Sequence, residues 1–409
     1  VQFEVGAAQK AQTYHKAGQT FKQRITKKCA KDKDFAKAQA VRSLAIVSLR
    51  TVSDGLSHLF QVKYRHCFHY RESPSMYALA RSILFKINPE TTHNMTIKGL
   101  QICDKLGLIP FADNQGKATK LMGLHLPNPV GLAAGLDKNG ECIDAFGALG
   151  FGFLEVGTVT PRPQPGNPQP RLFRVPEYQG IINRMGFNNH GIDAMIRNIE
   201  AGSYKGILGI NIGKNAVTPI EHAADDYLIC LEKAYAHADY ITVNISSPNT
   251  KNLRALQDGD ELSALLETLK NKQAHLHAAH GKYVPLAVKI APDLDEAQIE
   301  NIAHVVKSVQ MDGLIATNTT IDKSSLGNHA LAQEQGGLSG LPVREKSNQV
   351  LKLLAGYIDG ALPIIGVGGI MEGRDAAEKI RLGATAVQVY SGLIYQGPSL
   401  VKDCVAAIR

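Results

Sequence analysis

Closely spaced cysteines are missing from this sequence. Its six cysteines, Cys29, Cys67, Cys103, Cys142, Cys230 and Cys404, lie far apart with no C-x-x-C pair. That removes the spacings that bind zinc or iron–sulfur clusters, so no metal site is expected, and it leaves reduced thiols in a cytosol-like compartment. Long apolar runs are missing too. No stretch approaches the roughly 18 residues a membrane span needs, so any membrane contact must be peripheral. A surplus of positive charge is absent from most of the chain, although the net charge is +8. Residues 1–75 hold 14 Lys+Arg against 5 Asp+Glu, a surplus of 9, which leaves 8 − 9 = −1 for the other 334 residues. A near-neutral remainder gives no reason to expect nucleic acid as a partner.

What is present is apolar mass and glycine. With 44% hydrophobic residues and 38 glycines in 409 residues, the chain can bury one large core, and β/α barrels of roughly 250 residues commonly form one domain. The organisation divides into a basic segment at 1–75, a helical module at 76–115 and a barrel at 116–409.

Residues 1–75 are rich in Lys, Ala, Gln and Ser, with one helical stripe at Val41, Leu44, Ala45, Leu49, Val52 and Leu56. Their length and mixed composition favour translated sequence upstream of the true start, with a transit peptide as the alternative. The run Arg65-His66-Cys67-Phe68-His69 matches no usual metal spacing and reads as part of an unstructured tail.

From Met76 the apolar residues Met76, Leu79, Ala80, Ile83, Leu84 and Ile87 fall on one helical face. Asn88-Pro89-Glu90 then supplies an N-cap and a first-turn proline for a second helix that carries His93, Ile97 and Leu100 and stops near Gly107. Such a hairpin either caps the bottom of a barrel or docks on a membrane surface with Arg81, Lys86 and Lys98 on its polar side.

Between Pro129 and Ser391, eight β-rich runs alternate with helical patterns, which predicts a closed parallel (β/α)8 barrel. The runs are 130–134, 153–158, 207–212, 240–245, 285–290, 313–317, 363–367 and 386–390, and the longest helices are expected at 220–238, 260–280 and 295–309. Barrel chemistry sits at the C-terminal strand ends. Here those ends hold Asp137-Lys138, Thr158, Asn211, Asn244 to Asn249, Lys289, Thr317-Asn318-Thr319, Gly368-Gly369 and Tyr390-Ser391. A ring of amides and lysines with almost no acids suits a ligand rich in carbonyl and carboxylate oxygens. Glycines after strand seven, with Tyr390-Ser391-Gly392 after strand eight, supply backbone N–H groups for a phosphate-bearing cofactor. Lys289 could stabilise negative charge on a ring that accepts electrons, or could pair with a barrel acid. His275, His277 and His280 end a surface helix and are assigned no function.

The segments LAAGLDKNGECIDA, GTVTPRPQPGNPQPRLFR, INRMGFNN, GINIGKN, NISSPNT, AVKIAPDL, ATNTT, GGLSG, IIGVGGI and VQVYSG, in this order from about Met76 to Arg409, resemble the dihydroorotate dehydrogenases. More closely, they resemble the class 2 enzymes, which are membrane-associated FMN proteins oxidised by quinone. The resemblance implies FMN held by Ala134, Gly135, Leu136, Asp137, Lys138, Thr158, Asn211, Asn244, Lys289, Thr317, Gly340, Gly369, Tyr390 and Ser391. It implies dihydroorotate gripped by Lys138, Asn183, Arg184, Met185, Gly186, Phe187, Asn244, Asn249, Asn318 and Thr319. Ser247 would be the catalytic base, where class 1 enzymes carry cysteine. Ser246, on the other side of an extended segment, would be structural. His93 and Arg174 match positions that line a quinone tunnel.

The implied activity is oxidation of (S)-dihydroorotate to orotate in pyrimidine biosynthesis. The implied setting is peripheral, at the cytoplasmic side of the cell membrane or, if residues 1–75 are a transit peptide, at the mitochondrial inner membrane, with a monomer as the unit. The rivals are another FMN barrel, such as a tRNA dihydrouridine synthase, and a barrel that binds ligand without catalysis. The neutral barrel opposes the first, and intact Lys138, Asn244, Ser247, Asn249 and Lys289 oppose the second.

Overall fold

Strands buried on both faces organise the molecule. In a computed structural model, which describes residues 76–250, 253–257 and 259–408, thirteen strands form three sheets. In chain order they are β1 (Thr119–Leu121), β2 (Leu124–Leu126), β3 (Val130–Leu132), β4 (Phe153–Val159), β5 (Leu172–Val175), β6 (Gly180–Asn183), β7 (Ile207–Ile212), β8 (Tyr240–Asn244), β9 (Leu286–Ile290), β10 (Gly313–Ala316), β11 (Gly337–Gly340), β12 (Ile364–Val367) and β13 (Ala386–Val389). The eight strands β3, β4, β7, β8, β9, β10, β12 and β13 pair in parallel and close into a barrel. All eight expected runs are these strands, with ends within two residues of the expected ones. The reason is the near-continuous burial of β4, β8 and β9, which only a sheet covered on both faces produces.

Helices Ala223–Ala234, Gly259–His280 and Glu296–Ser308 cross back over the barrel. The first is shorter than the sequence suggests, because Ile220–His222 forms a separate 3-10 turn. The last is fixed at its start by a reciprocal capping box between Asp295 and Gln298.

Two small sheets were not expected. The β1–β2 hairpin pushes Leu121 and Leu126 into the barrel's lower interior, in one cluster with Phe153, Tyr240, Ala287, Ile315 and Ile365. The bottom of the barrel is therefore closed by this β-hairpin and not by the helical module. The second sheet is antiparallel, in the order β11-β6-β5, and walls one side of the strand-end face.

The helical module is present as expected, with helices at Met76–Leu84 and Pro89–Lys105. Asn88 caps the second by accepting from the backbone N–H groups of Glu90 and Thr91. The first helix, however, turns its aliphatic stripe outward. Leu79 and Ile83 are 61% and 58% exposed, while Tyr77 donates to the carbonyl of Ile394 at 2.6 Å and Arg81 to that of Tyr395. Phe85 meets the Tyr395 ring edge-on. The surface on which this helix docks is a row of carbonyls and an aromatic ring, so it takes donors and ring edges in preference to aliphatic side chains. The second helix is tied down by Glu90 and Arg171, a buried pair with Arg171 Nη2 at 2.7 Å from the carboxylate, and by Ile97, which joins the main core. Its own outer face leaves Met95, Ile102 and Leu106 exposed. No described helix is long and apolar enough to cross a membrane. Residues 1–75, with the helical stripe and the Arg65–His69 run read in them, lie outside the described residues.

Candidate active site

One cavity opens at the C-terminal ends of the barrel strands. From the residues singled out in the sequence it gathers Ala134, Gly135, Lys138, Thr158, Asn244 and Lys289 from the first strands of the ring. Thr317, Asn318, Thr319, Gly340, Gly369, Tyr390 and Ser391 complete its far wall. The antiparallel sheet and its following loop add Asn183, Met185, Gly186 and Phe187, and the segment after β8 adds Ser247 and Asn249.

Four residues expected there do not line the cavity. Leu136 belongs to the apolar core. Asp137 turns its carboxylate to the backbone N–H groups of Glu141 and Cys142, both at 2.8 Å, and so fixes the loop that presents Lys138. Arg184 pairs with Glu334 beside the ring of Phe173. Asn211 sits one layer below, where it reaches Thr158 and Asn244. The sequence reading also missed Ser339, Met371 and Gln388, which do line the cavity.

Local geometry explains the glycine-rich motifs at two places. Gly369 has φ +77, and a Cβ there would lie 2.3 Å from the Arg344 side chain, so only glycine lets the turn after β12 pass that helix start. Gly186 has φ +71 with Asn167 at 2.8 Å from a would-be Cβ, and Phe187 follows at φ +53. Asn167 in turn donates to the carbonyl of Arg184 at 2.9 Å. This loop is thus held in one shape over the cavity.

The polar floor is a directional chain of hydrogen bonds. Asn244 Nδ2 donates to Thr158 Oγ1 at 2.8 Å, and its Oδ1 accepts from Ser246 Oγ at 3.0 Å. Ser246 Oγ accepts from Asn318 Nδ2 at 2.9 Å, and Asn318 Oδ1 accepts from the Thr319 N–H at 2.7 Å. Ser246 stays out of the cavity, as expected, yet it is more than a passive strand-end hydroxyl, since it joins two cavity amides. The strand ends at Asn244, so simple alternation no longer governs Ser246 and Ser247. Ser247 lines the cavity, and its Oγ accepts from the Asn249 N–H at 3.2 Å. Asn249 Nδ2 reaches back to the carbonyl of Asn183 at 3.1 Å, tying the reactive segment to β6.

Two lysines set the charge. Lys289 has no hydrogen-bonded or ion-paired partner among the described residues; burial lowers its pKa, and Glu155 opposes that shift. Burial, then the neighbouring Arg171, pulls Lys138 down to about 8. A buried ammonium without a protein partner invites an anion or a polarised carbonyl into the cavity.

Lys138 also lines a second cavity, against the second helix of the hairpin, together with His93, Asn94, Gln101, Glu141 and His190. Burial, then the Lys138 charge, pulls His93 down to about 3, so its imidazole is neutral near pH 7. Arg174 lines neither cavity. Its guanidinium caps the first helix at the carbonyl of Ile87, 2.9 Å away, and covers the Phe85 ring at 4.5 Å. His93 and Arg174 are therefore not brought to one cavity.

Comparison with known proteins agrees with this geometry. The sequence model of the dihydroorotate dehydrogenase family matches residues 117–409. The quinone-type dihydroorotate dehydrogenase of Neisseria meningitidis serogroup C is 81% identical over 333 residues, 81% of this chain and 99% of that one. The corresponding protein of Chromobacterium violaceum is 59% identical over 334 residues, 81% of this chain and 97% of that one. Among solved structures, DHODH from Eimeria tenella in complex with ferulenol superimposes with a TM-score of 0.74 at 36% identity, covering 80% of this chain and 93% of that one. A closed parallel barrel, a lysine- and amide-lined strand-end cavity, a helical hairpin at that face and these relatives converge: the chain belongs to the dihydroorotate dehydrogenase family, in its quinone-dependent class.

Proposed function

We propose that the strand-end cavity oxidises dihydroorotate to orotate with FMN as its flavin, Ser247 as the base and a membrane quinone as the final acceptor. The observation that carries this reading is the convergence, in one cavity, of Ser247, two lysines that form no salt bridge among the described residues and the amides of Asn183, Asn244, Asn249 and Asn318.

The cavity fits the cofactor on its own features. Gln388 Oε1 is buried without a hydrogen-bond partner, Lys289 lacks one among the described residues as well, and the turn through Gly368 and Gly369, both at positive φ, lines the cavity. Ala134, Gly135, Thr158, Asn244, Lys289, Thr317, Gly340, Gly369, Tyr390 and Ser391 would hold FMN, with Asn211 supporting from below. Bound there, FMN supplies the hydride acceptor. The chain's own residues do the rest. Lys138 binds the substrate carboxylate, and the four asparagines match the donors and acceptors of a cyclic imide. Ser247 Oγ takes the proton from C5. A serine hydroxyl is a weak base, and it works here by passing its own hydroxyl proton on to water as it takes the C5 proton, while substrate carbonyls held by amides stabilise the developing charge.

The outward stripes of the hairpin, Leu79 with Ile83 and Met95 with Ile102 and Leu106, support a peripheral membrane dock, since contiguous exposed aliphatic residues mark interaction surfaces. The second cavity supports a quinone route past neutral His93, because Lys138 is its shared wall with the main site.

The Lys138 ammonium gives a pH test. It is cationic below about 8 and neutral above, so the counter-charge for the substrate carboxylate is lost as pH rises. The kcat/KM for dihydroorotate is expected to fall through that region, with KM carrying the change. A profile that stays flat up to about pH 10, near an unperturbed lysine, would remove Lys138 from substrate binding.

A further inference from the structure

Below the cavity floor lies a carboxylate that the reaction does not touch. Glu155, on β4, is completely buried. Its Oε1 accepts from Asn211 Nδ2 at 2.8 Å. Its Oε2 accepts from Gln388 Nε2 at 2.8 Å, Tyr240 OH at 2.9 Å and Thr242 Oγ1 at 3.1 Å. Every partner donates. A side-chain amide can present either end, but an acceptor-only neighbour leaves it one choice.

Both amides bound to Glu155 are thereby fixed in direction. Asn211 turns Nδ2 down to Glu155, so its Oδ1 points up, where it accepts from Thr158 Oγ1 at 2.5 Å and Asn244 Nδ2 at 3.3 Å. Gln388 turns Nε2 to the same carboxylate, which leaves its unpaired Oε1 as an acceptor in a residue that lines the cavity. From the opposite end, the backbone N–H groups of Ser246 and Thr319 fix the Oδ1 atoms of Asn244 and Asn318 at 3.2 and 2.7 Å. The two ends agree only while the anchor below Asn211 accepts.

We infer that Glu155 is a positioning residue: by accepting from Asn211 and Gln388 at once, it sets the donor and acceptor pattern that the cavity shows to flavin and substrate. This rests on the dihydroorotate reading for the identity of the ligands. It extends that reading to a residue outside the cavity.

The isosteric change Glu155→Gln tests it, because glutamine has one oxygen and one nitrogen. Whichever way it lies, either Asn211 or Gln388 faces an N–H. If Asn211 turns, its Nδ2 meets that of Asn244. If Gln388 turns, its acceptor becomes a donor. The dissociation constant of orotate or of FMN is expected to rise about tenfold or more, the scale of one mismatched buried hydrogen bond. Thr242→Val removes a donor from the same carboxylate, from a side chain that hydrogen-bonds to neither amide among the described residues, and should alter neither constant. Moving the acceptor by one residue, in Glu155→Gln with Asn211→Asp, restores every direction: the introduced glutamine donates to the introduced carboxylate, which accepts from Thr158 and Asn244 as the Asn211 oxygen did.

Recovery of binding, or of folding if the single variant is unfolded, by this double variant is the expected result. A folded Glu155→Gln protein with both constants unchanged, or a double variant no better than the single one, would overturn the inference. Wild-type protein that holds flavin but takes no orotate would instead contradict the dihydroorotate reading, and the FMN constants would still decide the role of Glu155.

Discussion

Ser247→Ala is expected to leave flavin bound and to slow its reduction by dihydroorotate about 100-fold or more, the usual scale for loss of a catalytic base. Ser247 lines the cavity, and among the described residues its side chain has one hydrogen bond, accepted from the Asn249 N–H at 3.2 Å. Removal of the hydroxyl leaves no charge or side-chain amide stranded and should spare both fold and orotate binding. The same change at Ser246 would act differently. Its Oγ bridges Asn244 and Asn318, so Ser246→Ala should weaken substrate binding first. Anaerobic stopped-flow of each variant separates the two roles. Unchanged flavin reduction in Ser247→Ala would remove this serine from proton transfer.

Deleting residues 76–111 is expected to abolish electron transfer to quinone while flavin reduction by dihydroorotate persists. The cavity draws no residue from this segment, whereas the second cavity takes His93, Ile97 and Gln101 from it. A milder change checks the same idea without disturbing the buried Glu90–Arg171 pair. Leu79 and Ile83 are outward-facing, so Leu79→Glu with Ile83→Glu should leave the folded barrel intact and reduce binding to lipid vesicles. Quinone reduction at the normal rate by the deleted protein would place the quinone route elsewhere.

The barrel was legible because its strands are buried on both faces, and short apolar runs such as Phe153–Val159 and Leu286–Ile290 stand out between amphipathic helices. The cavity was legible because strand-end polarity has a fixed place in this architecture. The antiparallel sheet was not. Gly180–Asn183 and Gly337–Gly340 are four residues each, with glycine at one or both ends, and they pair across more than 150 positions of sequence, with Asn183 opposite Gly337. Local pattern cannot find such a partner. The outward turn of Leu79 and Ile83 escaped for a related reason. An apolar stripe shows that a face exists but not which surface it meets, and here the barrel offered carbonyls at Leu393 to Tyr395. Glu155 and Gln388 were passed over because a strand buried on both faces does not alternate, so nothing in the sequence says which of its polar residues share the barrel interior.

The central claim is that this cavity holds FMN and takes a hydride directly from dihydroorotate. Its most direct test is the visible spectrum of the purified protein under anaerobic conditions, recorded before and after dihydroorotate is added without nicotinamide or quinone. The account predicts a flavin absorbance that bleaches fully and returns when quinone is supplied. A protein that binds FMN yet keeps its oxidised spectrum in saturating dihydroorotate would contradict it.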